Sequence, residues 1–413
     1  MMSSGSKDNV LGDKRTVAVF HPRVGFGGSE AVAMWALEAL KREFDVSIVT
    51  TNAVDLAALN SFYGTAVREG EVKVRLLPIP RMLSGIRSGA AIRGALFQSA
   101  IRQVACEYDV LISAYNLSDF GVPAIHLLDL SWDEELRTRF AESPRGFEGL
   151  FHRVAPVRAI YLWLGRRMSN PSGRDLFSGE DVLLAYSGWI ASVIERKHGL
   201  RCGVLYPPVP GGFADAPFES RNDDFACIGR ISEEKRLERV FEILGKVRAR
   251  GYQVRLRMIG DLGTNKYARK IQALAHRLPW VIPEGSVSEQ RKQEILSSCR
   301  YGIHGAEGEG FGIAVAEMVK AGCIPFTPVE GGPAEILSHE ALLYRDDDDA
   351  VDKICAVLSR PALRASLLEH LRRQAEKFSA ENFMRDLRAV VDKFLTGDSS
   401  GLKISRAAVG GAS

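Results

Sequence analysis

Short apolar runs of strand character alternate with stretches of helical periodicity along nearly the whole of this chain, and the alternation breaks once and restarts. Strands joined by crossover helices give parallel sheets, so the pattern predicts an α/β protein with two sheets. In the first half the runs are Thr16–Phe20, Val46–Thr50, Val72–Leu77, Val110–Ser113, Ala124–Leu128 and Val182–Tyr186, with helical periodicity over Ala31–Lys41 and Ser187–Lys197. The second half repeats the theme at Phe225–Gly229, Val254–Ile259, Tyr301–His304 and Ile324–Thr327, and Ala380–Phe394 reads as a closing helix. The break is Tyr206-Pro207-Pro208-Val209-Pro210-Gly211-Gly212, whose prolines disrupt helix and sheet alike. A chain of 413 residues is too long for one ordinary core. The expected organisation is a disordered start (1–15), a first domain (16–205), a linker (206–212) and a second domain (213–378). A crossover helix (379–396) and a disordered polar tail (397–413) complete it.

Composition removes several classes of function. A net charge of +3 gives no general reason to bind nucleic acid. The six cysteines form no C-x-x-C pair and no cluster with metal-ligand spacing, so they read as reduced, cytoplasmic residues. No run of about 18 apolar residues exists, and none is expected to span a membrane. Asp346–Asp349 could suggest a metal, but four acids before a helix read more simply as a cap.

Four glycine-rich turns carry the chemistry, each placed between a strand and a helix. The first, Gly25-Phe26-Gly27-Gly28-Ser29-Glu30, lets amides approach an anion, although such a turn also needs glycine for its geometry alone. The second, Gly229-Arg230-Ile231-Ser232-Glu233-Glu234-Lys235, puts Arg230 at the carboxyl end of a strand and Lys235 at a helix start. A guanidinium and an ammonium converging there suit a diphosphate. The third is Glu307-Gly308-Glu309-Gly310-Phe311-Gly312-Ile313-Ala314-Val315-Ala316-Glu317. Its glycines admit a ligand, while Glu309 and Glu317 can accept hydroxyls of a hexose and a ribose. Buried without a partner, Glu317 would cost several kcal/mol. The fourth, Val329-Glu330-Gly331-Gly332-Pro333-Ala334-Glu335, adds amides at the same end of the sheet.

Together these turns resemble the retaining glycosyltransferases of the large family with the GT-B fold. In that family a G-G-x-E loop, a G-R-x-x-x-x-K segment, an E-x7-E motif around G-F-G and a G-G turn follow in this order. The likeness covers most of residues 16–394 and includes Phe378-Ser379, where family members send a terminal helix back over the N-domain. Ile125-His126-Leu127-Leu128-Asp129-Leu130, Tyr206–Val209 and Gly302-Ile303-His304 are similar to the GDP-mannose-using enzymes of the dolichol-oligosaccharide pathway. Arg236 departs from the pattern, since many members have glycine there.

The resemblance implies a hexosyl transferase, mannosyl favoured, that keeps the anomeric configuration and uses a nucleoside diphosphate sugar, with GDP-mannose favoured. Arg230 and Lys235 would stabilise the leaving diphosphate, with no metal required. Glu309 would hold a donor-sugar hydroxyl, Glu317 the ribose, and His126 would stand beside the donor sugar. Gly27, Gly28, Gly229, Gly310, Phe311, Gly312 and Ile313 would line the donor site. His304 reads as structural.

A nucleotide-sugar 2-epimerase, or a silent sugar-nucleotide-binding subunit of a glycan-assembly complex, would share much of this pattern. The acceptor is expected to be a glycan or lipid-linked. Arg81, Arg87, Arg93 and Arg102, with the Arg- and aromatic-rich stretch 145–174, suit reversible attachment to a cytosolic membrane face. The stretch 132–180 matches no motif.

Overall fold

The computed structural model describes residues 14–78, 90–129, 180–209, 211–213, 216–398 and 405–406. Residues 1–13 of the expected disordered start and the segment 132–179 lie outside these residues, as do Arg81, Arg87 and the stretch 145–174, while Arg93 falls on the helix Ala90–Ala105. Arg102 is described, and its guanidinium pairs with Asp119 at 2.8 Å.

Two sheets form, as the alternation predicts. The first contains β1 (Thr16–Phe20), β2 (Asp45–Thr50), β3 (Val72–Leu76), β4 (Val110–Ser113), β5 (Ile125–Leu128) and β6 (Val182–Ala185). After β7 (Leu200–Arg201) comes β8 (Gly203–Val204), which completes the order β3-β2-β1-β4-β5-β6-β8. Every pairing in it is parallel. The second sheet holds β9 (Asn222–Ile228), β10 (Arg255–Ile259), β11 (Val281–Gly285), β12 (Cys299–Ile303), β13 (Ile324–Pro328) and β14 (Leu343–Tyr344). Its order is β11-β10-β9-β12-β13-β14, again all parallel.

Parallel sheets covered by helices on both faces bury both sides of each strand, which makes β1 apolar from Val17 to Phe20. Val17 and Val19 join the large core, while Ala18 and Phe20 point the other way into a smaller one with Phe97, Ile101 and Phe120. The helix Gly28–Leu40 packs on the closing helix Ala380–Thr396, so the C-terminal helix does return to the first domain. Arg388 reaches Glu43 across that contact at 3.5 Å.

Three expectations need correction. β11 is absent from the sequence reading because Pro283 and Glu284 obscure it, and an edge position tolerates both. Lys235 ends a 3-10 turn, Glu233–Lys235, and the helix Leu237–Ala249 begins only after Arg236. The tail is not wholly without structure: β15 (Ser405–Arg406) pairs antiparallel with β7, an edge with backbone groups to offer. Asp346 caps the helix Asp347–Ser359 by accepting from the Asp349 amide at 2.8 Å, as expected of that acidic run.

Candidate active site

In an open parallel sheet, the crevice where strand order reverses, at the carboxyl ends of the strands, is where ligands bind. The first sheet reverses between β1 and β4, the second between β9 and β12. The turns that follow β1, β4 and β12 face one another across a cavity of about 360 Å³. Gly28, Ser29, Tyr115, Asn116 and Asp129 line one wall, and Glu309 to Ala314 the other, with Pro207 of the linker at the side.

On the second-domain wall three ionisable groups converge. Lys235 Nζ lies 2.7 Å from Glu309 Oε2, and His304 Nε2 lies 2.8 Å from the same oxygen. The Lys235 stem runs along Gly229, where an added methyl would stand 3.4 Å from its Cε. Burial pushes the Glu309 carboxyl up, but the Lys235 ammonium and His304 outweigh it and hold the group well below the usual carboxylate range. Glu309 is thus a fixed anion that orients two donors. An incoming phosphate would compete with it for the Lys235 ammonium, and a sugar hydroxyl could donate to it.

Glu307 is excluded from this role by its partners, Arg236 at 2.9 Å and Arg239 at 2.6 Å. Arg230 does not join the cluster. Its side chain is 79% exposed and lies 3.8 Å from Glu234, so it stands at the rim. His304, read as structural from sequence, belongs to the cluster. Its place directly after β12, equivalent to Gly229 after β9, is the signal that could have found it.

Glu317 sits inside the helix Ile313–Lys320, buried and bonded to Lys292 Nζ at 2.6 Å. Burial raises its carboxyl although Lys292 pulls it down. Lys292 also holds Glu289 at 2.8 Å, which leaves two acids sharing one ammonium. The buried carboxylate therefore has the partner that its energetics demand. Lys292, on the helix Glu289–Ser298, was not foreseen, because nothing local marks it among the neighbouring charges.

Several glycines serve packing. Gly312 has φ +90°, and a Cβ there would meet Pro333 Cγ at 2.6 Å. Gly28 faces Ile313 across the cleft, so both line the cavity as expected. The Gly27 amide, expected to approach an anion, instead donates to Tyr63 Oη at 2.6 Å. The Glu30 carboxylate also lies against this turn. That makes the turn a poorer anion cradle than its glycines suggest.

Phe311 lines the cavity, as expected, and its ring also packs against Tyr206 and Phe378, with centroids 6.1 and 5.5 Å away. These two residues belong to the segments by which the chain crosses between the domains. A large apolar ring gains more from that contact than from an open cleft.

His126 is the clearest correction. It is 0% exposed, accepts from the Ser118 amide at 3.4 Å, and its Nε2 lies 3.6 Å from Asp181. Its ring packs near Phe120, within the smaller core. Residue 126 lies inside β5, short of the carboxyl end of the strand that borders the cleft. The residue that reaches the cavity is Asp129, just past the end of β5.

Comparisons with known proteins agree with this architecture. Residues 213–378 match the family described as Glycosyl transferases group 1. A GDP-Man:Man(3)GlcNAc(2)-PP-Dol alpha-1,2-mannosyltransferase of Dictyostelium discoideum is 27% identical over 124 residues, 28% of this chain and 25% of that protein. The match thus spans a quarter of that relative's length. Anabaena HepE, solved in complex with UDP and glucose, superposes with a TM-score of 0.64 at 13% identity, over 92% of this chain and 100% of that one. Sucrose-phosphate synthase of Thermosynechococcus elongatus gives 0.67 at 14% identity, over 93% and 100%. At such identities the likeness concerns fold, and the fold is GT-B.

Proposed function

We propose that this GT-B chain, whose residues 213–378 form a glycosyl transferases group 1 domain, moves a hexosyl group from a nucleoside diphosphate sugar to an acceptor hydroxyl. The observation that carries the reading is the Lys235–Glu309–His304 cluster at the second sheet's switch point, whose Glu309 lines a cavity of about 360 Å³. Mannose as the sugar draws support from the Dictyostelium relative, a GDP-mannose enzyme by its name. HepE, solved with UDP-glucose, keeps the base open. Retention at the anomeric carbon rests on the resemblance of the E-x7-E segment. A lipid-linked glycan is the acceptor that the basic, aromatic stretches of the first domain support.

In this mechanism the diphosphate takes Lys235 from Glu309 and receives the charge that develops as the sugar departs. Arg230, exposed at the rim, swings onto the phosphates. Glu309 accepts a donor-sugar hydroxyl and Glu317 a ribose hydroxyl in exchange for part of its bond to Lys292. The two protein cations supply the electrostatic stabilisation, and no metal is required.

The test is a thermal-shift screen of GDP, UDP, ADP and dTDP, followed by transfer assays with the matching sugar nucleotide, with and without EDTA. Stabilisation by one nucleoside diphosphate, and transfer that persists in EDTA, are the expected results. Lys235→Ala should lower transfer by roughly 10²-fold or more with the fold intact. Full activity in that variant would remove the phosphate role. Loss of activity on chelation, restored by Mg²⁺ or Mn²⁺, would remove the metal-independent reading.

A further inference from the structure

The cavity wall opposite Glu309 has a construction of its own. Asp129 follows β5, and its carboxylate lies directly on the Gly310 backbone: a methyl at residue 310 would fall 2.3 Å from Asp129 Oδ1. Any side chain at 310 would therefore displace this carboxylate, which gives Gly310 a reason to be glycine beyond its backbone freedom. The Asp129 amide donates to Asn116 Oδ1 at 3.1 Å. Asn116 itself is held with φ +62°, a conformation that costs most residues energy and tends to mark functional turns. The Asn116 carbonyl accepts from Ser113 Oγ at 2.6 Å, and its amide donates to the Leu127 carbonyl at 3.2 Å. The ends of β4 and β5 are thus tied together, and the tie aims Asp129 at the donor loop of the other domain.

We propose that Asp129, positioned by Asn116, is the first-domain half of the donor-sugar site and reads a hydroxyl of the transferred hexose. The inference rests on the glycosyltransferase reading above and adds the residue that selects the sugar. Two carboxylates, Glu309 and Asp129, line one cavity from the two domains. Carboxylates accept hydroxyls, so the group placed between them is the sugar ring. The volume of about 360 Å³ lies at the small end of ligand sites and has room for a hexose. The neighbouring Tyr186 reports the same field: burial, then Asp129, then Glu30 push its phenol well above the ordinary value. Because Asp129 and Glu309 come from different domains, the hexose bridges them, and the bare nucleotide does not.

The experiment compares two dissociation constants by calorimetry, GDP-mannose against GDP and UDP-glucose against UDP, in wild type, Asp129→Asn and Asn116→Gly. For the pair that the wild type binds, the ratio of sugar-nucleotide to nucleotide dissociation constant should rise about tenfold or more in Asp129→Asn, the loss expected when a charged acceptor is removed. The bare nucleotide should keep its affinity within about twofold, which also shows that the variant is folded. Asn116→Gly keeps the positive-φ turn and removes the side-chain bond to the Asp129 amide, and should shift the ratio in the same direction by less. An unchanged ratio in Asp129→Asn, or equal weakening of sugar nucleotide and nucleotide, overturns the assignment and leaves the glycosyltransferase reading standing. If the wild type binds neither pair, that reading falls and the assignment falls with it.

Discussion

The two glutamates of the third glycine loop have the same side chain and opposite environments. Glu309 meets Lys235 and His304 and is held far below its ordinary range, while burial dominates at Glu317 and raises it. A carboxyl depressed in the folded state contributes stability that is full above its unfolded value of about 4.5 and is lost as pH falls below it. The stability advantage of wild type over Glu309→Gln should therefore hold from pH 7 to about pH 5 and shrink as pH falls further, as followed by thermal melts. The same two residues should separate in binding. Glu317→Gln is expected to weaken the bare nucleotide, whereas Glu309→Gln should spare it and lower transfer. Calorimetry on both variants decides this, and equal losses of nucleotide affinity would contradict the division of labour. The spacing of the pair was legible in sequence. The partners were not, because Lys292 and His304 come from other elements and only the fold brings them near.

At the scale of elements, the alternation of strands was readable because both faces of each sheet are buried, so strands appear as unbroken apolar runs. What sequence does not fix is where a strand stops relative to the cleft. One step along β5 turns His126 into the core, and three steps bring Asp129 to the cavity. Turn conformation was partly legible. Arg236, where the family often has glycine, adopts φ +46°. Arg236→Gly removes that strain and gives up a half-exposed pair with Glu307, which Arg239 still holds. Strain in this region costs about 1 kcal/mol or more and exposed pairs contribute little, so the substitution should raise stability by up to about 1 kcal/mol. Gly312→Ala should do the opposite, since φ +90° and Pro333 both oppose a Cβ. Urea titrations of both variants measure it, and a loss in Arg236→Gly would mean that the Glu307 pair outweighs the strain.

At the scale of the whole molecule, the site exists only where the two domains meet, and a small set of contacts fixes how they meet. Glu335, on the helix Gly332–Leu337, accepts the Gly188 amide at 2.8 Å and also the Tyr206 hydroxyl. It thereby places a carboxylate at the N-terminus of the first-domain helix Gly188–His198, where the helix dipole favours it. Ser187, the cap of that helix, donates to the Gly310 carbonyl at 2.7 Å, so the same helix grips the donor loop. Tyr206, Phe311 and Phe378 fill the space between the two chain crossings, and Lys320 Nζ holds the Val209 carbonyl at 2.6 Å. Lys235 and Glu317, proposed above to hold the nucleotide, lie within the second domain and would not need this clamp. Closure of the cleft, which would exclude water and complete the proposed sugar site, would need it. Glu335→Ala should therefore leave nucleotide affinity within about twofold of wild type while transfer falls by roughly tenfold or more. Small-angle scattering with saturating sugar nucleotide should show a larger radius of gyration for the variant than for wild type. Equal radii together with full transfer would show that the domains are held without Glu335. Equal radii with lost transfer would instead move its role from closing the domains to shaping the Gly188 turn.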